Sequence, residues 1–316
     1  MHSLKPVKKP VLVTGSHRSG STWVGRMIAE APGMVYIHEP FSVSDPPGRG
    51  ICNSEFKYWF TYITRENEAD FYQPLKNMLE LRYDLAGALK SITSVKNFKQ
   101  LKAEHGEFRK YGRQGSTPLL KDPFAFFSSE WMAERFDMSV IVVIRHPAAF
   151  VSSIKKLSWS HPFSHFLEQP LLLQHLLYPF ESEIREYAAR EHDFADQAIL
   201  LWRLFHYTVL NYQRDHKDWI FVRHEDLSKD PVHGFQNLFS RLNLEFSADV
   251  QQVIETYSHP ANPSETDAMV GSEVSLKRNS RLNISNWKRR LTQFEITKIR
   301  NKTEDISGVF YTDEDW

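Results

Sequence analysis

The stretch that decides the fold is VLVTGSHRSGSTWVGRM, residues 11–27. It begins with four apolar or β-branched residues, turns at Gly15, and continues after Gly20 into a sequence of helical character. A buried strand, a glycine-rich turn and a helix in this order are typical of phosphate-binding loops, because the first turn of the helix offers free N–H groups to an anion. We therefore predict an anion site at this turn.

The loop has the spacing G-x-x-x-x-G-x-T and ends at Thr22. In nucleotide-binding P-loops a lysine follows the second glycine and reaches the outer phosphates. Ser21 stands at that position here, and Arg18 is the nearest cation inside the loop. A guanidinium binds phosphate oxygens through two parallel hydrogen bonds. The pattern favours a phosphate-like ligand held differently from the ATP of a kinase; the alternative is a strand–turn–helix without a ligand.

Short apolar runs alternate with longer stretches of helical period along the chain. The predicted strands are residues 11–14, 34–37, 119–121, 140–144 and 219–222. Most of these runs lack alternation, as expected for strands that are covered on both faces. We predict an α/β fold in three layers, with a parallel sheet between two layers of helices, similar to P-loop NTPases.

Local signals place several helices and argue for one domain. Residues 195–215 read as a mostly buried helix, Asp230-Pro231 begins another, and Thr292 with Glu295 forms a capping box. No linker divides the chain, so we predict a single domain, 1–316. Residues 42–116 fit the alternation poorly and are predicted to be a mostly helical insertion. This insertion either shapes an acceptor pocket or is a solvated helical excursion.

The composition is that of an ordinary globular protein. Of 316 residues, 41% are hydrophobic, and 39 Lys plus Arg balance 39 Asp plus Glu. No global field therefore attracts nucleic acid or an anionic membrane, and we expect no nucleic-acid partner. Cys52 is the only cysteine, which argues against a disulfide framework and a thiolate metal site. Without a signal peptide or a transmembrane run, we expect a cytoplasmic protein; its oligomeric state is left open.

The segment RSGSTW, residues 18–23, resembles the 5′-phosphosulfate-binding loop of sulfotransferases that use 3′-phosphoadenosine 5′-phosphosulfate (PAPS). The resemblance implies PAPS as co-substrate and no metal. It also implies that the 5′-phosphosulfate is bound by Arg18, Ser19, Gly20, Ser21 and Thr22. Trp23 occupies the position at which many members of the family stack the adenine. Without the resemblance, Trp23 would be interpreted as a core aromatic residue.

A second segment, SVIVVIRHPAAFVSSIKKL at residues 139–157, resembles the family's 3′-phosphate motif. In that motif an arginine and a serine touch the phosphate, and Arg145 and Ser153 have the same separation. Taken singly, Arg145 would more often be a surface charge and Ser153 an ordinary helical serine. Together with the glycine-rich loop, the pair predicts a second anion-binding position.

Two further segments agree with the resemblance. FVRHEDLSKDP, residues 221–231, is similar to the family's YEDL…DP strand, with His224 where many members have tyrosine. SLKRNSRLNISNWKRRLT, residues 275–292, resembles the basic segment that covers the co-substrate. Lys277, Arg278 and Arg281 are therefore candidate ligands of the 3′-phosphate, although exposed basic residues are also common.

The resemblance also assigns the chemistry. Arg18 would stabilise the leaving phosphate, together with Lys121, which resembles a family lysine near the sulfuryl group. The alternative for Lys121 is an ion pair with Asp122 or another acid. The sequence Lys121-Asp122-Pro123 lacks the histidine base of the phenol and steroid branch.

In YIHEPF, residues 36–41, Glu39 matches the glutamate of carbohydrate-modifying and bacterial members. We predict Glu39 as the general base, with His38 and His146 as alternatives. Glu39 could instead be an ion-pair partner of a loop arginine.

The predicted activity is in-line transfer of a sulfuryl group from PAPS to an acceptor hydroxyl on a carbohydrate or glycolipid. One alternative is a P-loop kinase or NTPase, in which Asp122 of LLKD would help to bind Mg²⁺ with ATP. The other is a non-catalytic nucleotide-binding protein on the same fold.

Overall fold

The computed structural model describes residues 9–44, 50–90, 95–265 and 272–316, without the side chains of residues 95–97. Its five described strands are β1 (Val11–Gly15), β2 (Met34–His38), β3 (Thr117–Lys121), β4 (Ser139–Ile144) and β5 (Ile220–Arg223). They form one sheet in the order β2-β3-β1-β4-β5, and the pairs whose register is known are parallel. Helices flank the sheet, so the predicted α/β fold with a parallel sheet is confirmed.

The chain divides into two compact units. The first comprises Met1–Thr14 and Pro32–Val140, and the second comprises Gly15–Ala31 and Ile141–Trp316. The prediction of a single domain stays a prediction. Residues 42–116 belong to the first unit, and their described part is largely helical; residues 45–49 and 91–94 lie outside the described residues.

The helices of the first unit are α2 (Tyr72–Leu79), α3 (Leu85–Lys90), α4 (Val95–Arg113) and α5 (Ser129–Phe136). The second unit begins with α1 (Ser21–Ala29). Its remaining helices are α6 (Pro147–Leu157), α7 (Ser164–Leu167), α8 (Pro170–Leu172), α9 (Glu181–Ala189), α10 (Phe194–Asp215), α11 (His224–Lys229), α12 (Pro231–Arg241), α13 (Ala248–Ser258), α14 (Glu273–Leu276), α15 (Ser280–Asn283), α16 (Trp287–Arg290) and α17 (Gln293–Ser307).

Strand register in the first unit brings the carboxyl ends of three strands level. Lys121 is paired with Val13 of β1 on one side and with His38 of β2 on the other. Because Glu39 follows His38 directly, it emerges beside the end of β3. The loop that starts at Gly15 begins two residues after Val13. In the second unit, Ile144 of β4 is level with Arg223 of β5.

Capping residues fix the helix starts that the sequence predicted. The Asp230 side chain accepts the His233 N–H, and Pro231 is the first residue of α12. Thr292 and Glu295 form the predicted capping box at the start of α17. The long buried helix α10 starts one residue before the predicted one, after Asp193, whose side chain accepts a backbone N–H. Each contact satisfies a donor that the helix itself leaves unpaired.

The cores of the two units are built from different elements. In the first unit the strands β1 and β3 are buried along their whole length. In the second unit α10 packs against α6 and α17 around large side chains such as Trp202 and Phe205, both 0% exposed. Within the described residues, no helix combines the length and apolar character that a membrane span requires.

Candidate active site

The glycine-rich loop depends on both of its glycines. Gly15 has φ 138°, and a Cβ added there would lie 2.4 Å from the Val143 carbonyl oxygen. Gly20 has φ 99°, and a Cβ there would lie 2.3 Å from a carbon of the His224 ring. Both residues therefore combine a left-handed backbone with a close neighbour, which only glycine tolerates. The predicted turn before α1 is thus imposed by backbone geometry and by packing.

Arg18 is held on two sides. Its backbone is left-handed at φ 66°, and its Nε donates a 2.9 Å hydrogen bond to the Ser153 Oγ on α6. The guanidinium carbon lies 5.7 Å from the centre of the Trp159 ring, in the range of a cation–π contact. The structure therefore brings together Arg18 of the first predicted anion motif and Ser153 of the second.

The loop also carries buried hydroxyl groups. Ser16, Ser19 and Ser21 are 2%, 0% and 4% exposed. The Oγ atoms of Ser16 and Ser19 have no hydrogen-bond partner among the described residues. No side chain in the described part of the chain caps α1, so its first N–H groups are left to a ligand or to water. Buried donors without partners are costly, and an anion bound in the loop would satisfy them.

Trp23 lies on the first turn of α1 and is 8% exposed. Its ring packs 5.6 Å from His224 and edge-on against Phe235 at 5.0 Å. The indole Nε1 is buried without a hydrogen-bond partner in the described residues. His224 is buried, and burial first and then Arg145 hold its pKa well below the usual value. His224, which occupies the position of the family tyrosine, is therefore an uncharged ring that lies close to Gly20 and packs against Trp23.

Arg145 directly follows β4 and takes part in a buried network of charged and polar groups around Glu225. Its Nε is 3.5 Å from Glu225 Oε1, and the two side chains are 10% and 4% exposed. The Glu225 carboxylate also accepts the His146 N–H and the Tyr311 O–H, both at 3.1 Å. Burial lowers the pKa of Arg145, while Glu225 opposes that effect. Glu225 and Tyr311 are functional-site neighbours that the sequence reasoning missed, because nothing local links residues 145, 225 and 311.

The predicted basic segment divides into exposed and buried cations. Lys277 is exposed and pairs with Glu273 one helical turn away, 2.7 Å between Nζ and Oε1. Arg281 donates from Nε to the Lys229 carbonyl at 3.0 Å. By contrast, Arg278 has a buried Nη1 without a hydrogen-bond partner in the described residues, and its pKa is lowered by burial and by Arg290. Of the three candidates, only Arg278 holds an unsatisfied buried donor.

Glu39 and Lys121 form an ion pair in the first unit, through Oε1 and Nζ. The Lys121 side chain is fully buried and the Glu39 side chain is 25% exposed. The second oxygen of Glu39, Oε2, lies 3.7 Å from His38 Nε2. Glu39 therefore has Lys121 as an ion-pair partner.

Asp122 follows Lys121 and is 0% exposed. Its carboxylate accepts the backbone N–H groups of Phe41 and Phe124, both at 2.8 Å. Both oxygens are thus engaged inside the protein, which argues against Asp122 as a Mg²⁺ ligand in a kinase. Among the described residues, no group of three or more His, Cys, Asp or Glu could hold a metal ion.

The two alternative bases differ in accessibility. His146 is buried and stacks on Trp287 with ring centres 5.1 Å apart, and burial lowers its pKa to about 3. A neutral ring packed in this way is a poor proton acceptor for an incoming hydroxyl. His38 is half-exposed beside Glu39 and stacks on Tyr36 at 6.0 Å.

Comparison with known proteins identifies the family. A model of the sulfotransferase family matches residues 10–248, about three quarters of the chain. This chain therefore belongs to the sulfotransferase family, whose chemistry is sulfuryl transfer. The matched span contains the glycine-rich loop, Glu39, Lys121 and the Arg145–Ser153 segment. No curated protein matches the chain.

Several solved structures are similar over most of the chain. A sulfotransferase domain from the Synechococcus PCC 7002 olefin synthase is 16% identical, with 96% of this chain and 98% of that chain covered and a TM-score of 0.44. A sulfotransferase domain from the curacin biosynthetic pathway is 14% identical, covering 95% and 99%, with a TM-score of 0.47. A mouse sulfotransferase complexed with PAP is 10% identical, covering 97% and 86%, with a TM-score of 0.48.

Proposed function

We propose that this protein transfers a sulfuryl group from PAPS to a hydroxyl group of a carbohydrate or glycolipid. The observation that carries the proposal is the 2.9 Å hydrogen bond from Arg18 Nε to Ser153 Oγ. Unlike ATP, PAPS needs one anion-binding position for its phosphosulfate and a second one for its 3′-phosphate. Arg18 and Ser153 come from the two predicted positions, and their contact supports one ligand that spans both.

The residues of the second unit fit such a donor chemically. Buried hydroxyls of Ser16 and Ser19, together with the open N-terminus of α1, suit the phosphosulfate end. Arg278 has a buried Nη1 without a hydrogen-bond partner in the described residues, which suits the 3′-phosphate. Arg145, whose Nε lies 3.5 Å from Glu225, would contact that phosphate through its terminal guanidinium nitrogens. Ser21 and Thr22 would add hydroxyl donors on the first turn of α1, and the buried indole N–H of Trp23 would donate to a polar atom near the adenine. When bound, PAPS supplies a sulfuryl group on a phosphate leaving group.

Glu39 and Lys121 would handle the proton and the developing charge. The acceptor hydroxyl gives its proton to Glu39 as its oxygen bonds to sulfur, while the bond from sulfur to the phosphate oxygen breaks. The electron pair of that bond stays on the phosphate oxygen, where Arg18 and Lys121 would stabilise it. Because Glu39 uses Oε1 for Lys121, the partly exposed Oε2 is the oxygen suited to receive the proton.

The acceptor class follows from the choice of base. Lys121-Asp122-Pro123 offers no histidine of the kind used on phenols and steroids. The two carboxylates near the end of β3 differ in access, since Asp122 is 0% exposed and Glu39 is reachable. An alcohol hydroxyl is much less acidic than a phenol and needs a base that accepts the proton late in the transfer. These points support a sugar hydroxyl.

Two measurements test the proposal. Calorimetry compares adenosine 3′,5′-bisphosphate with ATP plus Mg²⁺; we expect the bisphosphate to bind more tightly and EDTA to leave its affinity unchanged. A transfer screen with labelled PAPS then covers alkyl glycosides, glycolipids and phenols, and we expect glycosides to be sulfated fastest. Preference for ATP that EDTA abolishes would favour the kinase alternative. Tight bisphosphate binding without transfer to any acceptor would favour the non-catalytic one.

A further inference from the structure

The Asp122 side chain joins two turns of the first unit. Its Oδ2 accepts the Phe41 N–H and its Oδ1 accepts the Phe124 N–H, both at 2.8 Å. Phe41 lies two residues after Glu39, and Phe124 lies in the turn that follows β3. The Thr14 Oγ1 also donates to the Asp122 carbonyl at 2.8 Å. Asp122 is therefore the point at which the turn that carries Glu39 is fastened to the end of β3.

The fastened turn is strained at the proposed base. Glu39 has φ 45°, a left-handed conformation that costs a residue with a Cβ about 1–2 kcal/mol. Such a conformation persists only where the surrounding contacts determine it. The Glu39 N–H donates to the Lys121 carbonyl at 2.9 Å, and the Phe41 N–H donates to Asp122. The acceptors of these two hydrogen bonds belong to consecutive residues, Lys121 at the end of β3 and Asp122 in the turn that follows.

We propose that Asp122 is a positioning residue for the reaction: its carboxylate holds the Glu39 turn so that the Glu39 side chain stays beside Lys121. This inference rests on the proposed sulfuryl transfer with Glu39 as base. Asp122 itself touches no reactant, because it is buried and both of its oxygens accept backbone N–H groups. It acts through the backbone of Phe41 and Phe124, and its charge also interacts with Glu39 and Lys121.

The charge of Asp122 adds a pH signature to this geometry. Burial, with a smaller contribution from the charge of Glu39, raises the pKa of Asp122 to about 7, although Lys121 and the two N–H groups oppose the rise. Burial and, to a smaller extent, the charge of Asp122 raise the pKa of the Cys52 thiol. Protonation turns one acceptor oxygen into a hydroxyl, so one of the two N–H groups loses its strong acceptor. The tie is therefore complete above pH 7 and weakened below it.

The variant Asp122→Asn keeps the side-chain size but places an amide NH₂ against one of the two N–H donors. Labelled PAPS and the panel glycoside that the wild type sulfates fastest are the probes. We expect kcat to fall about 100-fold, because small displacements of a reacting group are that costly. KM for the glycoside and calorimetric affinity for adenosine 3′,5′-bisphosphate should stay within about twofold.

Ser128→Ala is the matched control for damage to the fold. Ser128 is 0% exposed in the same unit, accepts the Ile63 N–H at 2.9 Å and donates to the Thr61 carbonyl at 2.6 Å. It therefore fastens backbone groups in the same way, at residues 61 and 63 instead of at the Glu39 turn. We expect Ser128→Ala to lower the unfolding free energy while kcat is unchanged. Equal losses of kcat in the two variants would overturn the positioning role.

A second readout needs no catalysis. With nitrogen-labelled phenylalanine, the amide proton resonances of Phe41 and Phe124 should titrate together near pH 7 in the free wild type and not titrate in Asp122→Asn. Separate midpoints, or wild-type kcat in Asp122→Asn, would overturn the inference while leaving the proposed function standing. A wild type that sulfates nothing would overturn the proposed function and, with it, any role of Asp122 in that reaction.

Discussion

Each unit of this protein places an acid and a base at the ends of neighbouring parallel strands, but the two pairs have opposite access to solvent. In the first unit, Lys121 is fully buried while Glu39 is 25% exposed. In the second, the Arg145 and Glu225 side chains are only 10% and 4% exposed. The same strand-end position thus supports two different uses.

The difference lies in what the second carboxylate oxygen does. Glu225 uses both oxygens internally, accepting the His146 N–H and the Tyr311 O–H. Glu39 uses Oε1 for Lys121 and leaves Oε2 near a half-exposed histidine. A saturated carboxylate cannot take a proton from a substrate, whereas a half-saturated one can. The first pair is therefore suited to proton transfer and the second to holding a buried guanidinium in place.

The largest expected effect breaks the reactive pair. Glu39→Gln removes the proton acceptor and keeps the side-chain shape, so we expect kcat for sulfate transfer to fall about 1,000-fold, the usual contribution of a general base. Affinity for adenosine 3′,5′-bisphosphate, measured by calorimetry, should change little, because Lys121 is the only proposed donor contact in the first unit and the others lie in the second. A kcat within about tenfold of wild type would assign the base to another group.

Disruption of the buried Arg145–Glu225 pair should lower the stability of the protein. Glu225→Gln leaves Arg145 buried without a counter-charge, which costs about 3 kcal/mol of unfolding free energy. Urea unfolding followed by circular dichroism measures the change. Asp215→Asn breaks the exposed Arg214–Asp215 pair, 2.8 Å between Nε and Oδ1, and should leave the urea midpoint unchanged. Equal midpoints in the two variants would show that the buried network contributes no more to stability than the exposed pair.

The third prediction concerns pH and His146, whose backbone N–H donates to Glu225. Burial lowers the pKa of His146 from its ordinary value of 6.5 to about 3, so the unfolded chain binds more protons than the folded one between these values. The stability contributed by the neutral ring is therefore full above pH 6.5 and lost as pH falls through that window. The loss amounts to about 1.4 kcal/mol per pH unit.

His146→Phe keeps a ring against Trp287 and removes the titration. Urea unfolding between pH 6 and pH 4 should show a shallower fall of stability in His146→Phe than in the wild type, by about 1.4 kcal/mol per pH unit. Parallel curves for the two proteins would mean that His146 becomes protonated without unfolding. In that case solvent would reach the network around Glu225 in the folded protein.

Local sequence patterns predicted the parts of the site that are set by backbone geometry. Gly15 and Gly20 mark the loop because each has a positive φ and a neighbour that excludes a Cβ. Asp230 and Thr292 mark helix starts because they satisfy N–H groups three residues on. The five strands were predictable for a related reason, since burial on both faces leaves short apolar runs.

The partners of the charged residues could not be predicted from the sequence. Arg145 finds Glu225 and Tyr311 from distant segments, and no local spacing encodes that meeting. Asp122 reads as a metal ligand or as a partner of Lys121, yet its oxygens accept backbone N–H groups. Such choices depend on which elements pack together, and periodicity within an element carries no information about that.

The smallest expected effect extends the comparison to two adjacent cations of the basic segment. Arg278 has a buried Nη1 without a hydrogen-bond partner in the described residues, whereas Lys277 is exposed and paired with Glu273. We expect Arg278→Ala to weaken binding of adenosine 3′,5′-bisphosphate about tenfold, and Lys277→Ala less than about twofold, because an exposed cation is screened by solvent and salt.

Calorimetry at two salt concentrations separates these contributions further. If Arg278 makes a desolvated contact with the 3′-phosphate, the loss caused by Arg278→Ala should persist at high salt, while the small effect of Lys277→Ala should vanish. Arg281→Ala is the control, since the Arg281 Nε donates to the Lys229 carbonyl at 3.0 Å on an exposed surface. Equal and salt-sensitive losses for Lys277 and Arg278 would mean that the segment acts as a diffuse basic surface. Whether a cation is buried or exposed would then not determine its contribution to bisphosphate binding in this segment.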